Sequence, residues 1–128
     1  MSGPVINLIA AVGKSGQIGN NGRLPWRDSE DLKWFREMTM GGVVVVGHRT
    51  HRTLPDLDGR KVIIDRRNVE VPDMIALLKE FDRPIWIAGG AATYARWLPF
   101  ITRSYVSHIN FDGRADTFMP ALWKSQEN

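Results

Sequence analysis

Short apolar runs alternate with amphipathic stretches along the chain, and this alternation predicts strands and helices in turn. Runs bounded by glycine, proline or polar residues predict five strands, at Val5–Val12, Val43–Val46, Lys61–Ile64, Ile85–Ala88 and Ser104–Asn110. Helical spacing of apolar positions predicts three helices between them, over Glu30–Met40, Pro72–Phe81 and Ala91–Leu98. Strand followed by helix, repeated, is typical of a parallel sheet covered on both faces. The sequence therefore predicts a single α/β domain over residues 1–128, a central, mostly parallel sheet flanked by helices.

The segment between the first strand and the first helix has no periodic apolar pattern. Gly13–Pro25 holds four glycines and two asparagines, which predicts a long loop. A loop of this length in a small domain is usually functional or mobile. After it, Asp28 or Ser29 is the expected N-cap of the helix over Glu30–Met40.

Composition narrows the class of protein. The length of 128 residues fits one domain, and a net charge of +3 is too small to predict a nucleic-acid binder. The absence of cysteine excludes disulfides and thiol nucleophiles and fits a reducing cytoplasm. The three histidines lack metal-ligand spacing, so no metal site is predicted. Because no apolar run approaches the roughly 18 residues that span a bilayer, and Met1–Pro4 shows no signal-peptide pattern, we expect a cytoplasmic protein without membrane partners.

A glycine pair and several basic residues lie where predicted strands end. Gly89-Gly90 stands between a strand and a helix, where backbone N–H groups can hold a phosphate. The two glycines lack the Rossmann spacing, and a simple tight turn is an equal alternative. The basic residues suit phosphate or carboxylate recognition, although each taken singly is better explained as a solvated cation. They are His48, Arg49, Arg52, Arg60, Arg66 and Arg67.

An acidic residue, Asp31, stands among large apolar side chains at the start of the first helix. A carboxylate on the apolar side of a helix is costly unless it is paired or binds a ligand. Acidic residues are also common as solvated groups in a first turn, where the helix dipole favours them. On these residues alone the solvated alternative is favoured for Asp31, as it is for Asp28 and Glu30.

Several segments together, in order from Ile6 to Pro120, resemble the dihydrofolate reductase family. They are INLIAAVGKSGQIG (6–19), LPW (24–26), EDLKWF (30–35), VGHRT (46–50), GRKVI (59–63), IWIAGGAATY (85–94), YVSHI (105–109) and DTFMP (116–120). The resemblance implies NADPH as cofactor, and dihydrofolate and antifolates as ligands. It also implies hydride transfer from the nicotinamide to the pterin, whose adjacent ring nitrogen gains a proton, yielding tetrahydrofolate. The cofactor supplies the redox chemistry, and the protein supplies orientation and electrostatics.

The resemblance changes the interpretation of Asp31, which matches the family's single active-site acid. A buried carboxylate there accepts two hydrogen bonds from the amino-pyrimidine edge of the pterin and favours its protonated form. Trp26 matches the tryptophan that holds an ordered water near that acid. Ser107 stands where the family usually has threonine, and its hydroxyl can make the same hydrogen bond.

The same alignment of motifs implies the walls of the ligand sites. The substrate contacts are Ile9, Ala10, Leu24, Leu32, Phe35, Leu54, Leu57, Ala88 and Arg60, the last for the α-carboxylate of the substrate glutamate. The nicotinamide contacts are Ala11, Ile18 and Gly19, within a Gly13–Arg23 loop that resembles the family's mobile loop. The phosphate-binding turns are Gly47, His48, Arg49, Thr50, Gly89, Gly90, Ala91 and Ala92, with Tyr94 following. Arg66 and Arg67 fall near the pocket for the adenosine 2′-phosphate, which favours NADPH over NADH.

Three departures from the family pattern carry expectations of their own. Gly47-His48-Arg49-Thr50 replaces the commoner Gly-Arg-x-Thr, so NADPH affinity should be weaker and pH-dependent. Ala88 replaces a bulkier aliphatic residue, which suggests reduced trimethoprim sensitivity. The chain stops soon after Pro120, where the family continues through two strands. A truncated sheet edge predicts either a homo-oligomer that covers it or a less stable monomer.

Two alternative functions stay open from the sequence. One is a related reductase acting on another pterin or pyrimidine, against which Leu24-Pro25-Trp26 and Asp31 argue. The other is a folate- and NADPH-binding module without turnover, against which the intact set of Asp31, Trp26, Ser107 and Gly89-Gly90 argues. The active dihydrofolate reductase is the favoured hypothesis.

Overall fold

Five parallel strands form the centre of the structure, a computed structural model that describes residues 4–22, 24–26 and 29–120. The elements in chain order are β1 (Ile6–Val12), β2 (Gln17–Gly19), α1 (Ser29–Thr39), β3 (Val43–Val46), α2 (His48–Thr53), β4 (Lys61–Ile64), α3 (Val71–Leu78), β5 (Ile85–Ile87), α4 (Ala91–Trp97), β6 (Arg103–His108) and β7 (Thr117–Phe118). Single 3₁₀ turns, Lys79–Phe81 and Leu98–Phe100, extend α3 and α4. Among the described helices, none is long and apolar enough to cross a membrane.

The strand order in the sheet is β4-β3-β5-β1-β6, with every neighbouring pair parallel. Ile85 of β5 pairs with Ile6 on one side and with Val43 on the other. Strands flanked by neighbours and covered on both faces are apolar throughout, and Val43–Val46 is accordingly almost fully buried. This confirms the predicted mostly parallel sheet.

Side chains alternate between two apolar clusters, one on each face of the sheet. The α1-side cluster is built on Ile9, Val44, Val46 and Trp86, with α1 packed over it. The α4-side cluster contains the intervening strand residues together with side chains of α3 and α4. The chain leaving β3 therefore runs towards the α1 side, whereas the chain leaving the adjacent β5 runs into α4 on the opposite side. Ligands of open α/β sheets bind at such a reversal, outside the carboxyl ends of the strands.

The sequence-based elements need few corrections. All five predicted strands are present, with ends displaced by at most two residues. The predicted Gly13–Pro25 loop is wrong in part, because Gln17–Gly19 forms β2 and pairs antiparallel with β7. The second helix begins at Val71 rather than at Pro72. Of the two expected N-caps, Ser29 is the first helical residue, and Asp28 lies outside the described residues, as do Arg23 and Met1–Gly3.

The helix α2 was not predicted from the sequence at all. Its sequence, HRTHRT, has no apolar periodicity, and each of its residues is exposed or half-buried. The stretch is held as a helix by what flanks it. The strand before α2, Val43–Val46, lies inside the sheet, and after α2 the side chains of Leu54 and Leu57 pack against the α1-side cluster. The position of α2 between these two buried segments is a tertiary feature, and it has no local hydrophobic signal in the sequence.

Candidate functional site

Two glycine turns lie side by side at the carboxyl ends of β3 and β5. The Gly47 N–H donates to the Gly89 carbonyl oxygen at 2.7 Å. A Cβ at Gly47 would lie 2.8 Å from Thr93 Oγ1, and a Cβ at Gly90 would lie 3.3 Å from Thr50 Oγ1. Gly89 has φ of 117°, a conformation that side chains disfavour. Glycine is therefore required for the close approach of the two turns, and the predicted phosphate-binding segments are brought together.

Asp31 is buried in the first turn of α1, only 6% exposed. This corrects the expectation from local sequence that it is a solvated first-turn acid. The reason is its place on the helix. Residues three and four positions apart share a helix face, and Trp34 and Phe35 turn towards the α1-side cluster. Asp31 therefore faces the sheet, whereas Glu30 beside it is exposed.

The buried phenol of Tyr94 connects α4 with β1. Its hydroxyl donates to the Ile9 carbonyl oxygen at 2.8 Å. Burial raises the pKa of Tyr94, and the negative charge of Asp31 raises it further. The phenol thus stays a protonated hydrogen-bond donor, and Asp31 lies within electrostatic range of the end of β5 and the start of α4.

Several predicted substrate contacts lie on the α1 side of the sheet, the side that Asp31 faces. Ile9, Ala88, Leu54, Leu57 and Phe35 all belong to the α1-side cluster or pack against it. Ser107 pairs in register with Ala11 on the neighbouring strands β6 and β1 and is half-buried. Two further predicted contacts are exposed, Leu24 at 44% and Leu32 at 59%. Ala10 belongs to the α4-side cluster, so only its backbone can reach this face.

Trp26 packs against the segment that follows β6. Its ring is packed against Phe111, with 5.5 Å between the ring centroids. Its Nε1 is buried and makes no hydrogen bond to the described residues. A buried N–H normally has a polar partner, so the position suits a bound water or ligand oxygen.

Arg60 lies towards the other end of α1. Its Nη1 is 3.4 Å from Thr39 Oγ1, and its Nε donates to the Asp58 carbonyl oxygen at 3.2 Å. Burial and the positive charge of Arg36 lower the pKa of Arg60, while Asp58 opposes that shift. Eight residues of helix separate Asp31 from Thr39, about 12 Å. An acid and a crowded cation therefore stand at opposite ends of one apolar face.

The remaining predicted phosphate contacts are exposed basic residues on the segments that follow β3 and β4. His48 and Arg49 open α2, and Arg66 and Arg67 follow β4 by two and three residues. Among the described residues, none makes a hydrogen bond or ion pair to the side chain of His48 or Arg49. Exposed donors of this kind leave their hydrogen-bonding capacity to a ligand.

The segment containing β2 is held by a polar network that the sequence did not predict. Asp112 accepts hydrogen bonds from Ser15 Oγ at 2.6 Å and Gln17 Nε2 at 3.1 Å, and Asp116 accepts one from the Asn21 N–H at 2.8 Å. These bonds lower the pKa of both carboxyl groups. The contributing residues are about 95 positions apart, a separation without local signal. Gly19 pairs with Thr117 and Ile18 packs against the α4-side cluster.

An open parallel sheet with interlocked glycine turns at its carboxyl ends defines a nucleotide-binding α/β protein. The sequence model described as dihydrofolate reductase matches residues 5–127. The chain belongs to the dihydrofolate reductase family.

Individual relatives agree with this family. The chain is 32% identical over 136 aligned positions to the dihydrofolate reductase of Buchnera aphidicola from Schizaphis graminum, covering 94% of this chain and 84% of the relative. It is 32% identical to the dihydromethanopterin reductase of Methylorubrum extorquens, covering 92% of both proteins. The structure superposes with a TM-score of 0.83 and 25% identity on Enterococcus faecalis dihydrofolate reductase complexed with NADP(H) and RAB-propyl, over 94% of this chain and 80% of that one.

Proposed function

We propose that this protein reduces 7,8-dihydrofolate to 5,6,7,8-tetrahydrofolate with NADPH. The observation that carries the proposal is the buried carboxylate of Asp31, 6% exposed at one end of an apolar face that has Arg60 near the other end. Dihydrofolate has the complementary order, a polar pterin, an apolar ring and a terminal carboxylate. The chain's family membership supports the same reaction.

The chemistry of the glycine turns fits a dinucleotide. Backbone N–H groups at the starts of α2 and α4, the Thr50 hydroxyl and the exposed Arg49 can hold the pyrophosphate. Arg66 and Arg67 can hold the 2′-phosphate, which explains a preference for NADPH. NADPH, when bound, supplies the hydride. The family relative solved with NADP(H) supports this assignment.

On the substrate side, Asp31 orients the pterin by accepting hydrogen bonds from its amino-pyrimidine edge. Its negative charge favours the protonated ring, which is the form that accepts a hydride at carbon while the adjacent nitrogen carries the proton. The family resemblance assigns the role of holding a water beside this group to Trp26, whose buried Nε1 makes no hydrogen bond to the described residues. Ser107 takes the place of the usual threonine. Phe35, Leu54 and Leu57 exclude water from the apolar part of the ligand.

The first experiment is loss of NADPH absorbance with and without dihydrofolate, with methotrexate as inhibitor control. Substrate-dependent oxidation that methotrexate blocks is the expected result. Saturable binding without oxidation would instead favour the binding-module alternative. Asp31→Asn should lower turnover at neutral pH by roughly 100-fold or more, with partial recovery at low pH, where the substrate arrives protonated.

Glu30→Gln is the matched control for Asp31→Asn, because Glu30 is the adjacent first-turn acid and is exposed. It should retain turnover within about twofold, as surface substitutions usually change little. Unchanged turnover in Asp31→Asn would remove Asp31 from the mechanism.

A second candidate substrate is a pterin other than folate. The match to dihydromethanopterin reductase covers 92% of both proteins, which favours this candidate specifically. Steady-state kinetics with dihydrofolate and dihydromethanopterin decide between them by the ratio of their kcat/KM values. A higher kcat/KM with dihydrofolate supports the main proposal, and a higher kcat/KM with dihydromethanopterin supports the second candidate.

Ala88 is the proposed cause of reduced trimethoprim sensitivity. It is half-buried on the α1-side cluster, where a small side chain leaves a ligand less contact. Ala88→Ile should tighten trimethoprim binding, and an unchanged inhibition constant would argue against this role.

Three further properties remain predictions. Because His48 stands where the family commonly has arginine, NADPH affinity should be weaker than with arginine there, and His48→Arg should tighten NADPH binding. Among the described strands, β6 pairs on one side only, which keeps the homo-oligomer a testable prediction by sedimentation velocity. A cytoplasmic location stays a prediction from the cysteine-free composition.

A further inference from the structure

Arg96, near the end of α4, fastens the turn that follows β4. Its Nε lies 3.2 Å from Asp65 Oδ2 in an ion pair. Its Nη2 donates to the Arg66 carbonyl oxygen at 3.2 Å and also to the Val69 carbonyl oxygen. One guanidinium therefore holds the side chain that opens the turn and two backbone carbonyls along it.

The acidic partner of the ion pair, Asp65, is the buried one. The Asp65 side chain is 1% exposed and the Arg96 side chain 20%. The Asp65 backbone is itself fixed, since its N–H donates to the Val46 carbonyl oxygen at 2.8 Å. A buried carboxylate is tolerated only when paired, so Asp65 gives Arg96 a rigid anchor at the carboxyl end of β4. The planar fork of arginine then reaches the carbonyls, which a lysine could not do with one fixed geometry.

The fastened turn carries the exposed Arg66 and Arg67, and α4 begins at the glycine turn Gly89-Gly90. Arg96 thus connects the helix that follows Gly89-Gly90 to the turn that carries Arg66 and Arg67, although Arg96 and Arg66 lie 30 positions apart in sequence. Exposed arginine side chains recognise a phosphate better when their backbone is already ordered, because less conformational freedom is lost on binding.

We propose that Arg96 and Asp65 are positioning residues that hold Arg66 and Arg67 ready for the 2′-phosphate of NADPH, and so set the preference for NADPH over NADH. This inference rests on the proposed NADPH-dependent function. The proposed role involves no contact of Arg96 or Asp65 with the cofactor. Both act through the Asp65–Val69 turn.

The test is the selectivity ratio, kcat/KM with NADPH divided by kcat/KM with NADH. Arg96→Gln should lower this ratio about tenfold, the equivalent of one weakened charge-assisted hydrogen bond. The change should lie in KM for NADPH, with kcat and the NADH parameters within about twofold of wild type. Arg103→Gln is the matched control, because Arg103 is an exposed arginine on β6 at the opposite edge of the sheet. It should leave the ratio unchanged.

A purely structural role predicts a different result. If Arg96→Gln lowers the melting temperature while the selectivity ratio holds, or if KM rises equally for both cofactors, the inference is wrong. Arg96→Lys keeps the ion pair with Asp65 and loses the fork, so it provides a second variant should Arg96→Gln fail to fold. Its ratio should also fall.

Calorimetric titration with 2′,5′-ADP and with 5′-AMP separates this inference from the proposed reaction. Wild-type protein should bind 2′,5′-ADP more tightly than 5′-AMP, and Arg96→Gln should lose most of that difference. If the protein has no turnover but Arg96→Gln still loses this difference in binding, the reductase proposal is refuted and the positioning role is supported. Equal discrimination in wild type and variant would overturn the positioning role whatever the activity.

Discussion

Tyr94→Phe tests the hydrogen bond that connects α4 with β1. The hydroxyl of Tyr94 donates to the Ile9 carbonyl oxygen at 2.8 Å, and both residues are buried, at 5% and 2% exposed. Phenylalanine keeps the ring in place and removes only the donor. The substitution removes one oxygen atom and adds no heavy atom, so it introduces no clash.

The magnitude follows from the acceptor that is left behind. A buried carbonyl oxygen that loses its donor costs about 1–3 kcal/mol. For a domain of this size, 1 kcal/mol displaces the melting temperature by roughly 3–5 °C. We therefore expect Tyr94→Phe to lower the free energy of unfolding by about 2 kcal/mol and the melting temperature by roughly 6–10 °C.

The pH dependence of the same variant has a definite sign. Burial, reinforced by Asp31, raises the pKa of Tyr94 above its ordinary value of 10.0. The folded protein then binds a proton that the unfolded chain releases above that pH, so wild-type stability falls as pH rises beyond about 10. Tyr94→Phe has no phenol to ionise at this position, so its stability does not fall in this way. The melting temperatures of wild type and variant should therefore converge at alkaline pH.

The assay is thermal unfolding by circular dichroism from pH 7 to pH 11, with urea unfolding at pH 7 for the free energy. Tyr105→Phe is the matched control, because Tyr105 is the chain's other tyrosine, half-buried on β6 with its ring against Trp86. It should change the free energy of unfolding by about 0.5 kcal/mol or less. Equal melting temperatures for wild type and Tyr94→Phe at pH 7 would refute the reasoning.

Two further outcomes are expected. Since hydrogen bonds lower the pKa of Asp112, its contribution to stability is present above its unfolded value of about 3.9 and is lost as pH falls below it. Asp112→Asn should therefore speed hydrogen exchange over residues 13–19 at pH 7, by a factor that shrinks as the pH falls below that value, and equal exchange at pH 7 would contradict this. Gly47→Ala puts a Cβ 2.8 Å from Thr93 Oγ1 and should raise KM for NADPH without changing KM for dihydrofolate. Adding Thr93→Ala should restore NADPH binding, and a double variant as impaired as Gly47→Ala would count against steric crowding.

The sequence by itself determined the five-stranded sheet and three of its helices, α1, α3 and α4, because their signals are local. Val43–Val46 is apolar at every position, as a strand covered on both faces must be, and α1 and α3 carry apolar residues at helical spacing. The ordered motifs around Asp31 and Gly89-Gly90 also led to the family, which the comparisons confirm.

Tertiary structure alone decided which polar groups are buried and which segments meet. Asp31 and Glu30 are neighbours with the same chemistry, and only the packing of α1 on the sheet buries one and exposes the other. The pairing of β2 with β7, the hydrogen bonds of Asp112 and the contacts of Arg96 join residues about 30 to 100 positions apart. Contacts at such separations leave no periodic trace in the sequence, because each partner is selected by its neighbours in space rather than by its neighbours along the chain.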